Sequence, residues 1–224
     1  MTLQYYKYAL CDLIKLLNTD NYDEFYNKYV RLFDPLLYNY DININFEGVP
    51  GLIYIPDFMD DSELRQIQEY ITGINFEQIT NSQNSRRVAQ YGYTYSYDRS
   101  GIKAAEPIPL ILGNLVSSSK INDTVKSNIL SYEFDQLIIN EYTPGQQIAY
   151  HTDHISQFDD IIACITIGQT VPIMFKNNEQ TKKLNVTPGS LYIMTGDARY
   201  KWKHHLRNNG KTNRYSLTFR KVKT

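Results

Sequence analysis

NEYTPGQQIAYHTDH, residues 140–154, reads as the end of one strand, a Pro-Gly turn and a second strand that runs out into a loop. Segments of the same kind lie on either side of it. DQLIINEY leads into the turn, and IIACITIG, PIMFKN, KKLNV, GSLYIMTG and RYSLTFRKV follow. Each is short, β-branched or aromatic, and bounded by Gly, Pro, Asn or Asp. Even spacing of that kind predicts a sandwich or jelly roll whose strands form a rigid cup.

The N-terminal side of the strand-rich region is mixed. LIYIPDF reads as a strand and DDSELRQIQEYI as a helix, with Asp60 and Glu63 spaced as a capping box and Leu64, Ile67 and Ile71 as the buried stripe. A short apolar helical segment is expected near residues 109–116. INFEGVPG at 44–51 marks a boundary. Before it, residues 1–45 read as a helical extension of two amphipathic helices. Tyr6, Leu10, Leu13, Ile14 and Leu17 follow a helical period in the first, and Phe25, Tyr29 and Leu32 in the second, which stops before Pro35. Residues 46–224 then form the main domain.

Composition narrows the function classes. With 224 residues, 42% hydrophobic and 21% charged, the chain has room for one sizeable core. A mean hydropathy of −0.45 and no long uncharged apolar run predict no membrane partner. The N-terminus lacks the pattern of a secretory signal, and Cys11 and Cys164 are the only two cysteines, too few for a disulfide framework. Both point to a reducing compartment, cytoplasm or nucleus. A net charge of −1 and a pI near 6.4 exclude a protein that coats nucleic acid by bulk electrostatics, so any such contact must be local.

The chain's four histidines fall into two pairs, His151 with His154 and His204 with His205. Side chains alternate along a strand, so His151 and Asp153 share one face and reach a common point. Two imidazoles and one carboxylate on one side of an octahedron leave three positions open, the arrangement used by non-haem Fe(II) oxygenases. His154 is a poor third ligand, because three ligands within four residues would strain the strand end. His204 or His205 is the better one, and only one of them can face the metal, since neighbours on a strand point to opposite sides. Arg214 and Arg220 are separated by an even offset in a strand and turn to the same side. Two guanidinium groups above a metal suit a dicarboxylate, which each can hold by paired hydrogen bonds. Asn140 and Tyr142, two apart, add neutral donors.

Taken together and in this order, NEYTPGQQIAYHTD, ITIG, GDARYKWKH and RYSLTFRKV resemble the AlkB family of Fe(II)/2-oxoglutarate dioxygenases, over roughly residues 50–224. The resemblance implies a mainly β (α+β) fold, a double-stranded β-helix or jelly roll with supporting N-terminal helices. It implies that His151, Asp153 and His204 hold Fe(II), with His204 two residues beyond Trp202. His205 stands where relatives carry a small residue. Arg214 would pair with the distal carboxylate of 2-oxoglutarate, Asn140 and Tyr142 would support it, and Arg220 would steady the end near the metal. Oxidation of the co-substrate with O2 would be coupled to hydroxylation or demethylation of a base in nucleic acid.

RRVAQYGYTYSYD at 86–98 resembles the nucleotide-recognition lid of such enzymes. Tyr91, Tyr93, Tyr95 and Tyr97 alternate, so in one strand they would share a face and offer stacking surface to an unpaired base, with Arg86, Arg87 and Arg99 near phosphates. Tyrosines are also good strand formers, and a half-buried hairpin gives the same pattern. Bacterial repair enzymes of the family carry a carboxylate two residues after the metal-binding Asp, where this chain has Ile155. The wording comes closest to the branch that hydroxylates wobble uridine in tRNA, whose RNA-recognition and methyltransferase domains these 224 residues do not contain. The expected partner is therefore a single-stranded or flipped base, RNA before duplex DNA. Two other readings use the same cup: a catalytically silent nucleic-acid-binding module, and a hydroxylase of protein side chains.

Overall fold

The structure, a computed structural model, describes residues 46–96, 101–117, 120–121 and 133–223. The expected helices of residues 1–45, together with Tyr97 and Arg99, lie outside them. Strands β1 (Leu52–Ile55), β2 (Glu77–Gln78), β3 (Arg87–Tyr91), β6 (Gln136–Tyr142), β8 (Ile162–Gly168), β11 (Leu191–Met194) and β13 (Arg214–Arg220) build a seven-stranded sheet in the order β1-β11-β8-β13-β6-β3-β2. A four-stranded sheet, ordered β10-β9-β12-β7, consists of β7 (Gln147–His151), β9 (Val171–Lys176), β10 (Thr181–Val186) and β12 (Lys203–Arg207). A hairpin of β4 (Tyr93–Ser96) and β5 (Gly101–Ala104) stands apart. All of these pairings are antiparallel, so the chain is mainly β and has the jelly-roll architecture.

Period-two alternation divides the interior in two. On β8, Ala163, Ile165 and Ile167 face the helical side, while Ile162 and Cys164 face the other sheet. On β13, Leu217 and Phe219 join the helical side. There α1 (Asp61–Thr72) contributes buried Ile67 and Ile71 with half-buried Leu64, and α2 (Leu110–Gly113) with the 3-10 turn Asn114–Val116 adds Leu112, Leu115 and Val116. Helix α1 starts as the sequence predicts: the Asp60 carboxylate accepts from the Ser62 and Glu63 amides at 2.8 Å, and the Glu63 carboxylate accepts from the Asp60 N–H at 3.3 Å. Between the sheets lie Ile173, Phe175, Val186, Tyr192, Trp202 and Leu206. Among the described residues, no helix is long and apolar enough to cross a membrane.

The tyrosine run does not form one strand. Gly92 breaks it, with φ 73, and a Cβ there would meet the Asp135 carbonyl oxygen. Tyr91 is the last residue of β3 and packs on the helical side with Ala89 and Leu137, whereas Tyr93 and Tyr95 belong to the hairpin. Glutamines anchor that hairpin: Gln90 accepts from the Tyr95 N–H at 2.7 Å and donates to its carbonyl at 3.3 Å, and Gln136 donates to the Tyr93 carbonyl at 3.4 Å.

Candidate metal centre and co-substrate cavity

His151 ends β7 and pairs in register with His204 of β12, so both imidazoles rise from the inner face of the four-stranded sheet, their ring centroids 4.2 Å apart. Asp153 lies two residues on, in the loop. One ligand atom from each of the three lies within 4.8 Å of the others. His204 Nε2 is 3.7 Å from Asp153 Oδ2, and Arg220 Nη2 is 2.6 Å from Asp153 Oδ1.

The choice between the adjacent histidines is visible in the register. His204 opposes His151 and Leu206 opposes Ile148, so the single residue His205 faces both Ala149 and Tyr150. This irregularity is a β-bulge. It lets Ile148 and His151, three apart, both face inward, and it puts His205 on the outer face, where its Nδ1–H donates to the Ile148 carbonyl at 2.6 Å and its ring lies 5.0 Å from that of Tyr150. His151 Nδ1–H donates to the Ala149 carbonyl at 2.9 Å, which leaves the Nε2 lone pair for a ligand.

Charge states suit metal binding, which needs neutral imidazole and ionised carboxylate. Burial pushes His151 below its usual value. Burial and the neighbouring His151 lower His204 to about 3. For Asp153 burial acts upward, but Arg220, His204, His151 and Arg199 outweigh it and hold the carboxyl below the ordinary carboxylate range.

A second device fixes the loop that carries Asp153. Arg199, in the short helix α3 (Gly196–Tyr200), is 2% exposed, and its guanidinium donates to four backbone carbonyls: Asp153 at 2.9 Å, His154 and Phe158 at 3.2 Å each, and Asp159 at 3.3 Å. No periodicity in the sequence signals such a residue, because its partners are all main-chain oxygens.

The triad opens into a cavity of about 590 Å³, within the range of small-molecule sites. Its floor is the inward face of β13, Arg214, Ser216, Thr218 and Arg220. Arg214 is 1% exposed; it donates to Thr166 Oγ1 at 3.2 Å and lies 5.4 Å over the Tyr142 ring, yet its Nε has no partner among the described residues. Arg220 lies 4.6 Å over the Phe158 ring, and its Nε too is unpartnered. Buried donors of this kind are costly unless an anion completes them. Asn140 lines the cavity, its Oδ1 accepting from Arg86 Nε at 2.6 Å, which leaves its amide nitrogen to donate. Ser216, Thr218 and Tyr192 also line it. The alternation that predicted Arg214 and Arg220 extends to Ser216 and Thr218, whereas Tyr192 carried no such signal. Burial, then Cys164, raises the Tyr192 phenol well above its usual value, so it is a neutral hydroxyl.

The rim agrees with the predicted lid only in part. Tyr95 and Arg86 line the cavity beside His154, with the Tyr95 ring 6.2 Å from those of His154 and Phe158. Three residues expected there are elsewhere. Tyr91 is turned into the helical-side core by the break at Gly92, and Tyr93 is on the hairpin but not on the cavity wall. Arg87 follows Arg86 in the chain and so points to the opposite face, where its Nε donates to Glu141 Oε2 at 2.6 Å and its guanidinium lies 5.9 Å over Phe76.

The sequence pattern of the 2OG-Fe(II) oxygenase superfamily matches residues 51–220, a span containing the triad and both arginines. The chain belongs to that superfamily. It is a dioxygenase, with Fe(II) as cofactor and 2-oxoglutarate and O2 as co-substrates. Among curated proteins it is similar to "tRNA (carboxymethyluridine(34)-5-O)-methyltransferase alkbh8" of Xenopus tropicalis, 33% identical over 159 residues, 69% of this chain and 25% of that protein. It is also similar to the "Alkylated DNA repair protein ALKBH8 homolog" of Arabidopsis thaliana, 23% identical over 209 residues, 79% of this chain and 59% of the relative. The chain thus spans about a quarter of the length of the frog relative. Among solved structures, OsALKBH1 shares the fold, with a TM-score of 0.60 at 16% identity, covering 77% of this chain and 98% of that one. The cofactor set of the oxygenases fits the residues present. Two neutral nitrogens and a carboxylate converge in the cavity, and the Nε groups of Arg214 and Arg220, without partners among the described residues, suit an anion there.

Proposed function

We propose that this dioxygenase hydroxylates or demethylates a modified base in nucleic acid, taken single-stranded or flipped, with RNA, and tRNA in particular, preferred over duplex DNA. The observation that carries the reading is the mouth of the cavity. Tyr95 and His154 give aromatic surface and Arg86 a cation in the wall of the cavity that holds the His151–Asp153–His204 cluster. Aromatic rings beside a cation suit an unstacked base and its phosphate. Relatives named for tRNA modification and for repair of alkylated DNA support the same substrate class.

In this reading His151, Asp153 and His204 hold Fe(II), and Arg214 takes the distal carboxylate of 2-oxoglutarate with Tyr142 beneath its guanidinium. Asn140, held by Arg86, donates from the cavity wall. Arg220 neutralises Asp153 and aims its carboxylate at the metal position. When bound, the iron couples decarboxylation of 2-oxoglutarate to insertion of one O2 oxygen into a substrate C–H bond, giving succinate, CO2 and an alcohol. On an N-methyl group that alcohol is a hemiaminal, which releases formaldehyde. The enclosed floor keeps the co-substrate fixed, while the aromatic rim excludes water once a base enters.

The test is succinate formation with Fe(II), 2-oxoglutarate and a panel of modified tRNA, methylated oligonucleotides and peptides. We expect turnover stimulated by a single-stranded nucleic acid carrying a modified base. Product found only on peptides would contradict the substrate class, and no succinate under any condition would favour a silent binding module.

A further inference from the structure

The outer face of the four-stranded sheet carries a charge pattern that the cavity does not use. Alternation sends Ile173, Phe175, Leu184, Val186 and Leu206 into the core and leaves the opposite side chains facing outward. The register sets Thr181, Lys176 and Lys203 abreast across β10, β9 and β12, with Lys183, Met174 and His205 in the next row. Arg207 extends the array. Lys176, Lys183, Lys203 and Arg207 are all exposed, and none forms an ion pair among the described residues. The four strands contain no Asp or Glu, although the whole chain has 24 acidic residues against 23 Lys and Arg. The strands of this face thus carry four exposed cations and no acidic side chain, although Glu179 lies in the turn between β9 and β10.

The face also holds an aromatic pair. Tyr150 is 40% exposed, stacks on His205 at 5.0 Å and has the Lys176 Nζ 5.9 Å from its ring centre. Tyr150 immediately precedes His151 and His205 immediately follows His204, so this patch lies back to back with the metal cluster through the same two strands. It reaches β7, the edge of that sheet.

We propose that this face docks the phosphate backbone of the nucleic acid whose base enters the cavity. The inference rests on the substrate reading above. Lys176 and Lys203 lie on neighbouring strands about 4.8 Å apart, Lys183 is one row on, and Arg207 is four residues beyond Lys203, so a phosphate chain crossing these strands meets more than one cation. Four exposed cations with no ion pair among the described residues, set around an aromatic platform, are the combination used to hold single strands without reading their sequence. A lipid surface would call for protruding apolar side chains, and Met174, the one large aliphatic side chain in these rows, is half-buried.

The test compares the wild-type chain with the triple variant Lys176→Gln, Lys183→Gln, Arg207→Gln in binding to a single-stranded oligoribonucleotide at several salt concentrations. Succinate formation without nucleic acid reports on the intact cup and should not change. The variant should bind at least about tenfold more weakly, and the slope of log K against log salt should fall by about 2, since each single-strand phosphate contact contributes about 0.7. In parallel, acetylation of the wild type should show Lys176, Lys183 and Lys203 reactive in the free protein and protected by the oligonucleotide. That footprint decides the matter if the variant does not fold. Unchanged affinity and slope with no protection would overturn the docking face and leave the substrate reading standing. A wild type that forms succinate but binds no nucleic acid would overturn both. Binding to phosphatidylserine vesicles but not to RNA, or lysines already shielded in the free full-length chain, would also overturn the docking face.

Discussion

Arg214 shows how much one side chain is asked to do. It is buried, held by Thr166 and the Tyr142 ring, and its Nε has no partner among the described residues. Planar paired donors matter more than charge at such a place. Arg214→Lys should therefore raise the KM for 2-oxoglutarate by roughly 10–100-fold, which is about 1.4–2.7 kcal/mol of lost binding, with a smaller effect on kcat. Steady-state succinate formation across co-substrate concentrations measures it; an unchanged KM would move the carboxylate site elsewhere. The two adjacent histidines illustrate what was legible at this scale. Period-two alternation alone says that only one of His204 and His205 can face the metal, but choosing between them required either the family resemblance or the register of β12 against β7.

At the scale of elements, the strands and the capped helix could be read from alternation, turn residues and the capping box, because these are local signals. What escaped the reading is long-range. The tyrosines of residues 91–95 alternate as one strand would, and only the close approach of Gly92 to the Asp135 carbonyl explains why the chain changes direction there. Arg199 has no sequence signature, since its partners are carbonyls of a loop 40 or more residues away in the chain. By gripping residues 153–159 from behind, α3 sets the position of Asp153. Arg199→Ala should leave several buried carbonyls unsatisfied and cost about 2–4 kcal/mol in denaturant unfolding. The same variant should weaken metal affinity, a readout that a merely structural role would not move out of proportion to stability; Arg199→Lys should restore part of the stability and less of the affinity.

At the scale of the whole domain, the described residues form two sheets with the cavity between them. Its polar lining offers the folded chain ligand contacts that the unfolded chain lacks, so stability and ligand binding are linked. Anything that binds the folded state alone stabilises it by RT ln(1 + [L]/Kd), about 2.7 kcal/mol at a hundredfold excess over Kd. Mn(II) with 2-oxoglutarate should raise Tm by several degrees, more than the sum of the shifts each gives alone, as read by thermal melts under matched conditions. A chain in which Arg214 and the triad acted independently of one another would show only the separate shifts.

The central claim is that His151, Asp153 and His204 hold one metal ion and that His205 does not. Anaerobic calorimetric titration of Fe(II) into the wild type and into four single alanine variants at these positions tests it directly. One ion per chain is expected for the wild type and for His205→Ala, with binding lost in the other three. Equal stoichiometry and affinity in all five proteins, or loss in His205→Ala alone, would contradict it.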